Sequence, residues 1–390
     1  MKQSSRNKII QYLFYFFSLA LLSSYYATIP IALLVILFFV DSSENIKTKL
    51  KKTVKNPITY YFIAYFFIHI LGLIYTKNLD KGLKEVILRL PFLLFPFIIF
   101  GETISKEMVV KTLLFFKSVV IFVFILLLSY YFIMFDKPLK DFVFFGFTKI
   151  GISTFSYSVF IFLAILISLK HSKYKYVELP ILFLFLFLIG NRTVIMFLGA
   201  YLFYYLFKLN VKRQQRIFII SMISLVLVFV GNTIYNKITV FYKTIDFDIK
   251  TIETKNRLTF SRNTIEHRIL VWKSALEIIK KHPIIGVGTA DYQDALMQEY
   301  QKIHFKVAIK NKFNTHNQFF EETLKFGLIG FILFFTLFFR LFKTAQNSLL
   351  FTMILLIFWV SIFESYWSRH HGVTFIAFII PLLFQYKEKT

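Results

Sequence analysis

Apolar runs of about 16 to 24 residues recur along most of the chain, each closed by a lysine-rich or turn-rich break, a length sized for a bilayer. A helix covers roughly 30 Å of hydrocarbon in about 20 residues. Lipid offers the backbone no water to bond, so only helices and closed barrels span it. Barrel strands are shorter and alternate polar with apolar side chains, and these runs do neither. The expected fold is therefore all-α: a polytopic membrane protein with roughly twelve transmembrane helices and one large extracytoplasmic loop.

Composition narrows the chemistry. There is no Cys, which removes disulfides, thiolate metal ligands and cysteine nucleophiles together and leaves only oxygen and nitrogen side chains. It also leaves the redox compartment unreadable. The net charge of +25 raises the question of nucleic acid. The basic residues, however, form short clusters between apolar runs, with no single stripe, so no nucleic-acid partner is expected. The 53 Phe read as lipid-facing and core bulk more readily than as a sugar-stacking platform.

The spans begin with Ile9 to Tyr25 and include Val86 to Phe100 as the fourth, Thr193 to Phe207 as the eighth and Ile217 to Ile234 as the ninth. Phe326 to Leu341, Leu349 to Phe363 and Val373 to Phe384 complete the set. Lys2, Arg6 and Lys8 before the first run imitate a secretory signal, but a second run starts at Ile29, so an uncleaved first helix is expected. Counting loops alternately from a cytoplasmic N-terminus puts Lys47 to Lys55, Lys170 to Lys175, Lys208 to Arg216 and Lys387 to Lys389 inside, as the positive-inside rule requires. Fewer basic residues fall outside, mainly Lys77, Lys81, Lys84, Lys137, Lys140 and Lys149, with Arg192 and Arg369. Both termini are then cytoplasmic. Residues 1–234 hold nine spans, residues 235–325 a loop too long for a simple connection, and residues 326–390 the last three spans.

Two stretches of the loop carry helix signals. In the first, Asn263 with Glu266 three residues on predicts a capped start. Ile265, Ile269, Trp272, Leu276 and Ile279 then recur on one face, with Arg268 at its border, before Pro283 and the turn glycines Gly286 and Gly288. In the second, Thr315 with Gln318 predicts a capping box that puts His316 at the first helical position. A helix N-terminus favours a neutral imidazole and attracts anions, the setting a general base needs.

At these residues the sequence resembles the O-antigen ligase and polymerase superfamily, lipid-linked glycan transferases of bacterial envelopes. The likeness rests on the span layout and on GNRT at Gly190 to Thr193, where Asn191 stands in place of the family's usual Ser. It rests also on Arg268-x-x-x-Trp272 leading to PIIGVG, and on HNQFFEETLKFGLIG from His316 to Gly330. ESYWSRHHGVTF from Glu364 to Phe375 resembles an element of members from one lineage.

The resemblance implies an inner-membrane enzyme with a periplasmic active site. It would take a glycan from undecaprenyl diphosphate and pass it to a hydroxyl acceptor, either the lipid A core or a growing glycan, with membrane lipids as its surroundings. Arg192, Arg268 and Arg369 would bind the diphosphate, since the guanidinium fork grips phosphate oxygens bidentately. His316 would be the catalytic base, with Arg268 assisting departure of the diphosphate and Asn317, Glu321 and Glu364 as accessory groups. Diphosphate is already a good leaving group, so no metal and no cofactor is expected, and a single displacement would invert the anomeric centre.

Blander readings stand beside these. Arg192 fits a snorkelling anchor, Arg268 a solvated helix face, and His316 a surface histidine near a cap. Glu321 and Glu322 fit a complement to the helix dipole, and Glu364 and Arg369 a self-contained pair. His370 and His371 lack a carboxylate at ligand spacing and are not read as a metal site. Among functions, ligation onto lipid A core leads, with repeat-unit polymerisation and protein O-glycosylation as variants. A polysaccharide transporter or flippase is the rival class. Transporters favour repeated halves and broken helices, neither of which the sequence displays, and the polar candidates are expected to gather at one membrane face.

Overall fold

The computed structural model describes residues 3–22, 26–40, 45–135, 139–143, 147, 153–208, 213, 216–217, 220–221, 224, 228, 248–258 and 264–386. Among them every regular element is helical. The ninth expected span falls mostly outside the described residues, as does the Asn263 cap.

Among the described residues, three helices are long and apolar enough to cross a membrane by length and composition. They are α7 (Lys106–Met134), α8 (Thr154–His171) and α15 (Gln318–Thr344). Shorter apolar helices accompany them: α2 (Thr28–Val40), α4 (Pro57–Leu71), α10 (Arg192–Lys208), α16 (Ser348–Phe363) and α17 (His370–Phe384). Together with α1 (Gln3–Ala20), α6 (Pro91–Gly101) and α9 (Lys175–Ile189) they enclose one continuous apolar core.

Side-chain contacts sort the helix ends into two groups. At one end Gln385 Nε2 donates to the Ile99 carbonyl at 3.2 Å, Asn347 Nδ2 to the Leu383 carbonyl at 2.9 Å, and Lys170 Nζ to Ser348 Oγ at 3.0 Å. At the other, Tyr65 donates to Glu322 at 2.8 Å, Arg89 to Ser368 at 2.8 Å, and Trp359 Nε1 to the Thr193 carbonyl at 3.0 Å. The first end also buries charge: Arg6 pairs with Glu102, Lys49 lies 3.4 Å from the same carboxylate, and Lys117 pairs with Glu178. Polar groups therefore occupy both ends of the bundle.

The fourth span also differs from expectation. Its first residues close an amphipathic helix, α5 (Leu79–Arg89), and Pro91 starts α6 afresh. Proline is suited to a first helical position because its missing N–H is an orphan there. Arg89 can sit fully buried at the junction because Glu85 pairs with it at 2.7 Å.

The largest departure lies in α15. Gly327 adopts φ 61 and ψ −150, a region open essentially to glycine alone, and splits the helix. A break at membrane depth strands peptide groups that lipid cannot satisfy. Residues 283–288 satisfy them from the side. Val287 N donates to the Leu324 carbonyl at 2.8 Å and Gly288 N to the Lys325 carbonyl at 3.0 Å, while Leu328 N donates to the Pro283 carbonyl at 2.8 Å. The approach is so close that a Cβ on Gly327 would stand 2.3 Å from the Ile284 carbonyl carbon, and one on Gly286 would stand 2.4 Å from the Leu324 oxygen. The expectation of no broken helix is thus overturned, and with it one ground for setting the transporter reading aside.

The described residues between 248 and 313 fold around a second, smaller core. It joins α11 (Ile249–Leu258), α12 (Thr264–Lys281), α13 (Tyr292–Lys302) and α14 (Lys306–Asn311), and Leu324 of α15 completes it. In α12 the face buried in this core is Leu270, Val271, Ala275 and Ile278. The expected stripe through Ile265, Trp272 and Leu276 is only partly covered. The helix is apolar on two sides, and the smaller Ala275 and Ser274 permit the closer approach on the buried one.

Candidate functional site

The site is assembled where α15 begins and α16 ends. Asn317, not Thr315, caps α15: its Oδ1 accepts from Phe320 N at 3.1 Å. Thr315 instead bridges locally, donating from Oγ1 to the Asn317 carbonyl at 2.8 Å and lying 3.3 Å from Ser365 Oγ. His316 therefore precedes the helix, in a left-handed conformation with φ 47. A non-glycine residue holds that conformation only where its surroundings enforce it. Here its N–H donates to Asn314 Oδ1 at 3.1 Å, and Trp272 Nε1 of α12 grips the preceding Thr315 carbonyl at 3.0 Å. The expected position at the first helical residue is corrected by two places.

This placement aims the imidazole at the turn after α16. His316 Nδ1 is 3.3 Å from both carboxylate oxygens of Glu364. Arg369 Nη2 donates to Glu364 Oε1 at 2.8 Å, and Arg268 Nη1 donates to the carbonyl of the adjacent Phe363 at 2.9 Å. Burial alone would raise the Glu364 carboxyl, but the His316 contact and the Arg369 charge outweigh it and hold it at about 2. Burial pulls the Arg268 guanidinium below its ordinary value, with the Glu364 charge opposing. The imidazole stays 30% exposed and Arg369 43% exposed, against 11% for Glu364. A buried anion thus sits behind a histidine and two arginines that reach outward.

Arg192 is the first residue of α10 and is exposed. Among the described residues its side chain contacts none of this group. It is related to the group at one remove: Trp359, which bonds the Thr193 carbonyl, packs its ring 5.0 Å from Phe363. Glu321 does not reach His316 either.

Glu321 belongs to a second cluster, buried beside the first and centred on Ser368. Arg89 Nη2 lies 2.8 Å from Ser368 Oγ, Gln318 Nε2 3.2 Å and Lys325 Nζ 3.3 Å, and Ser368 itself donates to Glu321. Lys325 bonds Glu321 at 2.6 Å, while Gln318 and Tyr65 both bond Glu322 Oε1, at 2.6 and 2.8 Å. Gln318 Oε1 also accepts from Trp367 N at 2.9 Å. The turn that carries Glu364 and Arg369 is therefore clamped by α5 and α15. Sequence reasoning missed Arg89, Glu85, Lys325 and Ser368. The available signal was an arginine inside the apolar run ILRLPF, since an ionisable group at such a place needs a partner.

Residues 179–335 match the family described as O-Antigen ligase, a stretch that contains Arg192, Arg268, His316 and the break at Gly327 and stops short of Glu364 and Arg369. Comparison with curated proteins returns no match.

Proposed function

We propose that this chain, whose residues 179–335 match the family described as O-Antigen ligase, moves a glycan from undecaprenyl diphosphate to a hydroxyl acceptor, with the lipid A core as the leading acceptor. The observation that carries this reading is the His316–Glu364 pair, flanked by Arg268 and Arg369.

In this reading Nδ1–H of a neutral His316 donates to Glu364, which leaves Nε2 bare and turned outward as the base for the acceptor hydroxyl. Glu364 stays ionised, orients the ring and stabilises the imidazolium as the proton arrives, the role a buried carboxylate plays behind a catalytic histidine. Arg268 and Arg369 lie on either side of the same turn and hold the diphosphate of the donor. The negative charge that grows on the leaving diphosphate meets fixed guanidinium groups that need not reorganise, an effect worth several kcal/mol of barrier in enzymes of this kind. Arg192, on the same end of the bundle, extends the phosphate contacts or anchors the headgroup region. Attack by the acceptor displaces the diphosphate in one step and inverts the anomeric carbon.

The same machinery serves polymerisation of repeat units or glycosylation of a protein hydroxyl. Deletion separates these readings: loss of all attached polymer points to ligation, and a single capped repeat unit points to polymerisation. The site itself is tested by purifying His316→Ala and Arg268→Ala and assaying transfer from a lipid-linked donor. Both should fall by 10²-fold or more, on the order of what a lost base or charge clamp removes. Activity kept within about threefold, roughly 0.7 kcal/mol of barrier, would remove both assignments.

A further inference from the structure

The segment that splints the break in α15 carries two apolar side chains that are left largely exposed among the described residues. Ile284 is 65% exposed and Ile285 52% exposed, in a stretch whose carbonyls at residues 283 to 285 are all hydrogen-bonded. Pro283 and Ile284 offer their carbonyls to Leu328 N and Ile329 N, and Tyr75 donates to the Ile285 carbonyl at 2.6 Å. Leu328 and Ile329 are themselves 54% and 52% exposed, and Ile74 is 81% exposed. Two pieces of chain joined by backbone bonds thus present isoleucine and leucine together, and exposed Ile74 adjoins the Tyr75 that bonds Ile285. The patch runs without interruption into the outward face of α15, where Ile332, Phe335 and Phe339 are also exposed.

Depth follows from counting along α15. Its first strongly basic residues at the far end are Arg340 and Lys343. Counting back about 20 residues from Lys343, the length that crosses roughly 30 Å, puts the hydrocarbon edge near Thr323. The break at Gly327 then lies about 6 Å inside that edge for an upright helix, at 1.5 Å of rise per residue. Pro283 and Ile284 are hydrogen-bonded to Leu328 and Ile329 on the far side of the break, so they and the adjoining Ile285 share that depth. Irregular backbone at such depth needs its peptide groups paired, and the carbonyls of residues 283 to 285 are. Just before the patch, Lys280 and Lys281 are 69% and 51% exposed and pair with Glu277 and Glu299, a charged step suited to the polar surface above an apolar tip.

From this geometry we infer that residues 283–285 form a wedge embedded in the acyl chains of the outer leaflet, making this connecting region a membrane-inserted element as well as a surface loop. The lipid contact and the splint are one structure: what fixes the wedge in the bilayer also fixes Leu324 and Lys325, hence the helical turns that begin at His316. The wedge thereby sets the height of the site above the hydrocarbon.

The test uses the natural absence of Cys. Single replacements Ile285→Cys, Ile284→Cys, Ile332→Cys and Lys280→Cys are labelled with an environment-sensitive fluorophore in the full-length protein reconstituted into phospholipid vesicles. Labels at 284 and 285 should emit at the short wavelengths of the one at 332, be quenched by nitroxide-bearing acyl chains, and resist aqueous iodide. The label at 280 should show the opposite. Emission and iodide quenching at both 284 and 285 like those at 280 would overturn the inference. So would a blue-shifted label that acyl-chain nitroxides fail to reach, since it would be covered by protein. None of these readouts depends on catalysis, so loss of transfer activity and loss of the wedge are told apart.

Discussion

Two charged clusters lie side by side at one end of this bundle, and they are built to different rules. Around Ser368, Arg89, Lys325 and Glu321 are buried, drawn from α5 and α15, and closed upon one another through contacts of 2.6 to 3.3 Å. Around Glu364, only the carboxylate is buried, the histidine stands 3.3 Å away, and two arginines keep most of their donors free for something else. A closed ionic network fixes geometry, because removing one partner leaves its opposite charge stranded. An open one has capacity to bind. The contrast fits the proposed reading, in which the first cluster positions the turn and the second carries the chemistry.

The hardest way to break this contrast is to remove a charge from the closed cluster. Lys325→Met should strand Glu321 and cost about 3 to 5 kcal/mol, so most of the protein should fail to fold. Fluorescence-detected size exclusion of membrane extracts would measure it, and adding Glu321→Gln should recover part of the loss. A wild-type-like profile for the single variant would mean the cluster is not closed.

A smaller effect is expected from Glu364→Gln, which should fold and lose on the order of 10²-fold in turnover, with little change in the KM for donor. Its pH behaviour sharpens the distinction. The Glu364 carboxyl lies at about 2 in the folded protein against an ordinary 4.5. A depressed value contributes stability above the ordinary one and loses it as pH falls. The thermal-stability advantage of wild type over Glu364→Gln should therefore be constant above about pH 5 and shrink steadily as the pH is lowered toward 2. An advantage that vanishes near neutrality would show that the carboxylate is not held by His316 and Arg369. The smallest effect belongs to Arg192→Ala. Its exposed side chain touches neither cluster, so stability should be unchanged and the KM for donor should rise by no more than about tenfold, in the range of one surface phosphate contact. A larger loss of turnover would bring Arg192 into the reacting group.

What the sequence disclosed depended on whether the cause was local. Apolar length is local, and the helices at Lys106–Met134, Thr154–His171 and Ser348–Phe363 fall where the apolar runs lie. The motif residues His316 and Arg268 and the pair Glu364 and Arg369 were also legible, because their residue types and neighbours suggest their chemistry. Less local causes went unseen. The capping signal at Thr315 was outcompeted by Asn317 two residues on, a choice made by the contact between Thr315 and Ser365. The break at Gly327 depends on residues 283–288, which no window around the tenth span contains. Arg89 was absorbed into an apolar run because its partner Ser368 comes from the other end of the chain.

The splint has a further consequence, for the order in which the chain is made. Residues 283–288 leave the ribosome before Gly327 does, so the fractured helix enters the bilayer with its brace already synthesised. Reversing that order by circular permutation, with the brace emerging last, would leave four peptide groups without partners in oil during insertion. Chain direction is thus part of how such a discontinuous helix becomes affordable to build.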